Sequence, residues 1–558
     1  MAERKQIMKK RVVALFLAAV MVLSLCACQN STDDKKTTAA PDNKTTEAPV
    51  VNPTDGPTNE PTTEAPKSKY PLVEEPVTLQ GVVVIANPSD STERLAFTKA
   101  SELTGINIEW RVIDQESLAT FLASGKWPDL LFMNPTQNQV LDYGIIGGRL
   151  VNYLDYIDLM PNFAQAMVDY PAIKLAIQEN GAMYRLPFCS LAATSAQARP
   201  HINTDVMAAA GVQRPTTVDE FEQALKDLQK YYGEESVFIP KLNNYANNWA
   251  LMLFAAFGDL QDMLLDLGAD GEVVFSHTTD QMKHYYEFMN KLYEQGLIHK
   301  EVATLDTATK RALELGGKIA FLDHAGANVT ANEKGEFPVS ALAPLKSQYN
   351  DNPVLLGARG VSFTHSIFIN AESDYIEELC QYLDIFYATE EVEEGTGLFG
   401  QSMQHGIEGE NFKLNDDGLS YTFNLPEGYA TASAYQAQVI QWFNFGRADY
   451  LGMRIEDKPS NTQSRQKAYV EFVNPYQEAP ADVFPGWGNI PFNEAQQSVI
   501  DTYWEAMVTY WQKMQVEFIT GVTDIETGWD EYVKTLEKMG LNEVMVAINE
   551  AWDNYCAR

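Results

Sequence analysis

Histidine, cysteine and basic residues are all scarce in this chain, and each scarcity closes off a class of function. The seven histidines (His201, His277, His284, His299, His324, His365 and His405) are scattered through 558 residues. No HExxH helix and no His-x-His pair occurs, so neither zinc catalysis nor zinc carriage is indicated. Of the five cysteines, Cys26 and Cys28 stand near the start. The others, Cys189, Cys380 and Cys556, are an odd, widely spaced set without a CxxC pair, which is no disulfide framework. Neither a GxSxG nucleophile elbow nor a P-loop is present. With 76 acidic residues, a carboxylate pair at glycosidase spacing is not excluded by sequence. Lysine and arginine total only 41, giving a formal charge of −35. A surface that acidic repels phosphate backbones, so no nucleic-acid partner is expected. After the first thirty residues no apolar run reaches the roughly 20 residues that span a bilayer.

What the chain does have begins at its N-terminus. Arg4, Lys5, Lys9, Lys10 and Arg11 precede an apolar run over 12–25, which leads into Leu25-Cys26-Ala27-Cys28. A basic segment before an apolar stretch of this length reads as a secretory signal over 1–27. Its end resembles a bacterial lipobox, in which the last cysteine is lipidated and becomes the mature N-terminus. Cys28 fits that role, with small Ala27 before it and Leu25 three residues upstream. Residues 28–75 are rich in Thr, Pro, Asp, Asn and Glu and hold almost no aromatics. Such a segment cannot bury enough surface to offset its ordering entropy, so a disordered tether is expected. Extended at about 3.1 Å per residue, it would reach up to roughly 140 Å. That reach suits a body held within or beyond a cell wall, which favours a Gram-positive host.

The remaining body, about 480 residues, has the length of roughly two to four ordinary domains. It opens with a strand over 78–85, a helix over 91–103, a strand over 106–113, a helix over 114–122 and a strand over 129–133. Ser91 or Thr92 caps the first helix, Ala96, Ala100 and Leu103 stripe it, and Gly105 stops it. This alternation specifies a parallel sheet with right-handed crossovers. Thr217 and Glu220 form a capping box ahead of Phe221, Leu225 and Leu228. A helix over 279–295 carries Met282, Tyr286, Met289 and Tyr293 on one side. Residues 317–322 (GKIAFL) read as a strand returning to the first sheet. The C-terminal part is helix-rich, with stripes at Val499, Tyr503, Met507 and Trp511, then Trp529, Val533 and Leu536, then Val544, Ile548 and Trp552. Stripes of this kind read as core.

Seven passages then point to a family: ELTGINIEW (102–110), SGKWPDLLF (124–132), YGIIGGRLVNYLDYID (143–158), GAMYRLPF (181–188), INTDVMAAAGVQRPTTVDEFEQAL (202–225), GIEGENFKLNDDG (406–418) and FITGVTDIETGWDEYVKTLEKMGLNE (518–543). In order and spacing the body resembles the extracellular solute-binding proteins, family 1 type, of carbohydrate ABC importers, above all the large lipoproteins of Gram-positive bacteria. The resemblance implies an α/β fold of two lobes, periplasmic-binding-protein-like of type II, joined by hinge strands that close on a ligand. It implies a first lobe from 76–200 and 305–365 and a second from 201–304 and 366–558. It implies a binding protein without catalysis, cofactor or metal. The partners implied are a sugar or oligosaccharide, ABC permease subunits, and the membrane through the lipid anchor, with the protein a monomer. One departure stands out: Asp323-His324-Ala325-Gly326 follows GKIAFL where members often carry an aromatic.

Sugars offer hydroxyls that need directed hydrogen bonds and C–H faces that pack on flat rings. Ligands of open α/β sheets sit past the carboxyl ends of strands. Those ends give Asn87, Ser89, Asn134, Gln137 and Asp323 as ligand-binding candidates in the first lobe. Trp249, beside two amides, and Trp487, in a Gly-rich loop, are the candidates in the second, with Trp442 and Arg359 weaker. Asn, Ser and Asp also serve turns and caps, and Trp also serves cores. Three other readings fit the sequence: a polysaccharide-processing lipoprotein enzyme, a peptide or other solute binder of the same fold, and a surface adhesion or glycan-display protein.

Overall fold

Apolar strands flanked by helices build the first lobe. The computed structural model describes residues 68–84, 94–190, 201–240, 242, 249–260, 264–322, 329–356, 360–429, 432–440, 445–452, 454–457, 459–478 and 490–557. Strand β1 (Val77–Val84) lies parallel to β2 (Ile106–Ile113) and β3 (Leu130–Met133). All four residues of β3 are buried, as in a strand covered on both faces. In β2 Ile106, Ile108 and Trp110 turn inward while Asn107, Glu109 and Arg111 face water, because β2 is the sheet edge. Gly81 sits opposite Trp110, and a Cβ there would stand 2.5 Å from the indole. Helix α1 (Leu95–Thr104) covers one face with Ala96, Phe97 and Ala100. It stops at Gly105, whose φ of 77° lets its N–H donate back to the Ser101 carbonyl. Its N-cap is Arg94, so the expected Ser91 or Thr92 cap is corrected. Helix α2 (Leu118–Ala123) covers the other face. Asp114 caps the turn before it, accepting from the Ser117 N–H at 2.7 Å. A single turn, α3 (Gln137–Val140), follows β3.

After β4 (Leu186–Cys189) the chain enters a second sheet. There β5 (His201–Asn203) is flanked by β6 (Phe321–Leu322) and β7 (Val339–Ala341), both antiparallel to it. The segment 317–322 therefore does not return to the first sheet. The Phe321 ring packs 4.7 Å from Phe221 in the second core, and that contact decides its place. The first sheet resumes at β8 (Val361–Ile369), antiparallel to β3 and β4. A small sheet of β9 (Phe412–Leu414) and β10 (Ser420–Phe423) follows. Then β11 (Gly446–Arg447) pairs parallel with β4, and β12 (Ile455–Glu456) completes the small sheet. The first sheet runs β11-β4-β8-β3-β1-β2.

Helices make the second lobe. In α4 (Val218–Tyr232) Thr217 caps the Glu220 N–H, but the Glu220 carboxylate takes the Thr216 N–H and hydroxyl instead of closing the box. Helix α5 (Asp280–Glu294) buries Met282, Tyr286 and Met289. It packs with α6 (Glu494–Thr520), α7 (Ile525–Lys538) and α8 (Leu541–Cys556), around a fully buried Trp511.

The buried apolar residues fall into two main clusters. One draws on positions 79–189 and 363–445, the other on 202–355 and 468–552. The expected division at 305 and 366 is thus corrected: residues 319–355 pack with the second lobe and 363–445 with the first. The N-terminal boundary moves as well. Within the expected tether, Tyr70, Leu72 and Val73 pack on the first core, and the Leu72 N–H bonds the Thr104 carbonyl at 2.9 Å. Three apolar side chains in four residues are enough to anchor this stretch. The expected signal peptide, Cys28 and residues 28–67 lie outside the described residues.

Candidate ligand site

The chain passes between the two cores over 190–201, 356–361 and 447–461. All three are tied together where they leave the first sheet. The Ser190 N–H donates to the Gly360 carbonyl at 2.7 Å, and the Ala448 N–H to the Cys189 carbonyl at 2.8 Å. Arg447 braces the third. Its Nη1 pairs with Asp169 at 2.5 Å and its Nε with Asp449 at 2.8 Å, while the Tyr170 hydroxyl also donates to Asp449. Hydrogen bonds from Gln165 and Arg447 hold the Asp169 carboxyl below its ordinary range.

Two of the sequence candidates follow the carboxyl end of β3. Asn134 is exposed immediately after β3, and its carbonyl accepts from Gln115 Nε2 at 3.4 Å. Gln137 opens α3, where Thr136 and Gln139 form a reciprocal capping box. The Gln137 amide donates to Gln178 Oε1 at 2.9 Å, and buried Gln178 in turn donates to the Ala176 carbonyl. Gln137 is therefore held in its own lobe. Its neighbour Asn138 reaches the other: Nδ2 donates to Asp501 Oδ2 on α6 at 3.4 Å, while Gln497 holds Oδ1 at 2.8 Å. Trp249 is the first residue of a short helix, Trp249–Phe254, in the second lobe. Asn87, Ser89, Asp323, Arg359, Trp442 and Trp487 lie outside the described residues. Among the described residues no group of three His, Cys, Asp or Glu side chains could hold a metal.

Residues that the sequence reading missed also lie here. Asn138 and Asp501 carried no signal, being one amide and one acid among many. Arg185, in GAMYRLPF, is 6% exposed and stacks on the Phe363 ring at 4.6 Å. Burial pushes its pKa down to about 10. Gly395-Thr396-Gly397-Leu398-Phe399-Gly400 has dinucleotide-motif spacing, but it follows no strand. Its last glycine lies against the Arg447 and Phe386 carbonyls, where a Cβ would clash. A cavity of about 280 Å³ lined by Asp205, Tyr232, Glu314 and Asn332 opens near Asn203, at the end of β5 away from the interlobe passage.

No protein-family model matches the chain. It is 25% identical over 495 residues, 84% of this chain and 89% of the relative, to the fructooligosaccharide ABC transporter substrate-binding protein FusA of Streptococcus pneumoniae. It is 21% identical over 380 residues, 63% of this chain, to Lipoprotein LipO of Bacillus subtilis. FusA in complex with kestose superimposes with a TM-score of 0.66 over 86% of this chain and all of that one, at 22% identity. An HMO-binding, ABC-transporter-associated solute-binding protein from Bifidobacterium longum infantis gives a TM-score of 0.71 over 87% of this chain and 99% of that one, at 17% identity. In fold the chain is similar to these two-lobed α/β solute-binding proteins of ABC transporters, and in sequence it is similar to FusA along 84% of its length.

Proposed function

We propose that this protein captures an oligosaccharide between its lobes and hands it, chemically unchanged, to the permease subunits of an ABC importer. The observation that carries this reading is the match to FusA along 84% of the chain, joined to a fold with three interlobe passages. A ligand that bridges both lobes shifts the population towards the closed form, which is the form a permease can distinguish. Asn87, Ser89, Asn134, Gln137, Trp249, Asp323, Arg359 and Trp487 are the proposed contacts, the amides and acids meeting hydroxyls and the indoles meeting C–H faces. No cofactor or metal enters this function, and the protein works as a monomer. A signal peptide over 1–27 and lipid attached to Cys28 place the body on the outer face of the cell membrane. The likeness to a named lipoprotein supports the anchor.

Titration calorimetry with kestose, nystose and other oligosaccharides, followed by chromatography of the recovered sugar, tests the reading. Saturable binding with the sugar recovered intact is expected. Release of shorter products would favour the enzyme, and binding of peptides alone would favour the other solute class. Cys28→Ala is expected to move the protein from the membrane fraction to the medium.

A further inference from the structure

The three chain passages leave the first sheet from neighbouring strands. The sheet runs β11-β4-β8-β3-β1-β2, and the passages follow β11 and β4 and precede β8. Both β3 and β4 run antiparallel to β8, so the carboxyl end of β3 shares that edge of the sheet. After β2 and β3 the chain turns back into the first lobe. The covalent hinge is thus confined to one half of the edge.

Beyond that half, next to β3, one bond spans the lobes. Asn138 Nδ2 donates to Asp501 Oδ2 at 3.4 Å. Both partners are held in place by their own lobes. Thr136 and Gln139 cap α3 reciprocally, and Gln137 ties it to Gln178. One turn before Asp501, Gln497 Nε2 holds Oδ1 at 2.8 Å, which leaves Oδ2 for Asn138. Asp501 stands near the start of α6, the 27-residue helix that packs around Trp511. A bond between two fixed groups costs little ordering entropy and registers one arrangement of the lobes. Tyr555 of α8 also packs against both cores, but an apolar ring tolerates sliding.

The strength of the bond suits a contact that must break. Its donor is neutral, and Asn138 Oδ1 is buried with no partner among the described residues. One hydrogen bond to an exposed carboxylate shifts an open–closed equilibrium roughly fivefold, and the unanswered oxygen takes part of that back. Such a contact delays opening without locking the molecule shut.

We propose that the Asn138–Asp501 bond is a clasp outside the hinge strands, which sets how fast the closed form opens and so how fast cargo leaves, without touching the cargo. The inference rests on the capture reading above and adds a rate-setting element to it.

The test compares the full-length secreted protein with Asn138→Ala, Asp501→Ala, the double variant and Asn138→Lys. Stopped flow follows association and release of kestose, and small-angle scattering gives the radius of gyration without sugar. Each alanine variant is expected to release kestose roughly 3–10-fold faster, with association within about twofold of native. The double variant should be no faster than either single one, because both remove the same bond. Asn138→Lys puts a cation in place of the neutral donor and should slow release at low salt, an effect that high salt removes. Unchanged release in both alanine variants would overturn the proposal, as would additive effects in the double variant. Release from Asn138→Lys as fast as from Asn138→Ala at low salt would overturn it too. Slower association with unchanged release would place Asn138 against the cargo and overturn the clasp. If the native protein takes no kestose, the capture reading loses that cargo and the clasp is decided by shape. A larger radius of gyration in each alanine variant then supports it, and an unchanged one overturns it.

Discussion

The two lobes bury charge in opposite ways. In the second, Glu222 is almost enclosed yet fully answered: Lys226 and Lys291 each reach it at 2.6 Å and Gln295 at 3.1 Å. Burial alone would raise its pKa, but those hydrogen bonds overcome it and hold the carboxyl at about 2. In the first, Arg447 is answered by two aspartates, while among the described residues Arg185 meets only the Phe363 ring. A charge with a full set of partners ties elements together, as Glu222 ties α4 to α5. Arg185, resting on the Phe363 ring, ties no second element to its own by charge among the described residues.

Four measurements would break or sharpen that contrast. The largest effect is expected from Trp511→Ala, which empties the centre of the helical lobe. A loss of about 3–5 kcal/mol in denaturant unfolding is expected, and a smaller loss would show that α5 and α7 collapse into the space. Next comes acidification of the first lobe. Burial holds His405 at about 3 against an ordinary 6.5, so the native state binds fewer protons than the unfolded one between those values. The stability it contributes is complete above pH 6.5 and is lost as pH falls towards 3. His405→Phe, which keeps a ring beside Phe423, should flatten that part of the pH–stability curve. Glu222→Gln should cost about 1 kcal/mol at pH 7. That cost should vanish as pH falls below 4.5 towards 2, because the native carboxylate then loses the ionisation that Lys226 and Lys291 reward. The smallest stability change, within about 0.5 kcal/mol, is expected for Asp501→Ala on the exposed face of α6. Its effect should be seen in shape, since the Asn138–Asp501 bond joins the lobes. Small-angle scattering of the variant should show a larger radius of gyration, and an unchanged one would show that the bond does not hold them.

Local signals read well from the sequence, and pairing between distant segments did not. The strand–helix–strand opening, the Gly105 stop and the Thr217 cap are visible because each depends on a few adjacent residues. The place of Phe321–Leu322 was not, because a two-residue apolar strand fits either sheet and only its contact with Phe221 decides. Residues 68–75 were misread for a related reason. Composition averaged over the whole tether hides Tyr70, Leu72 and Val73, which act through the lobe they meet. At the site, strand-end logic points to Asn134 and Gln137, and the structure sets both just past the carboxyl end of β3.

The docking of Tyr70, Leu72 and Val73 onto the sheet-built lobe has a mechanical consequence. Any pull arriving along the N-terminal leader enters the molecule through that lobe alone. The helical lobe connects to it through three passages of chain and the Asn138–Asp501 bond. Under the anchor proposed above, the sheet-built lobe would be the fixed jaw and the helical lobe the one left to swing.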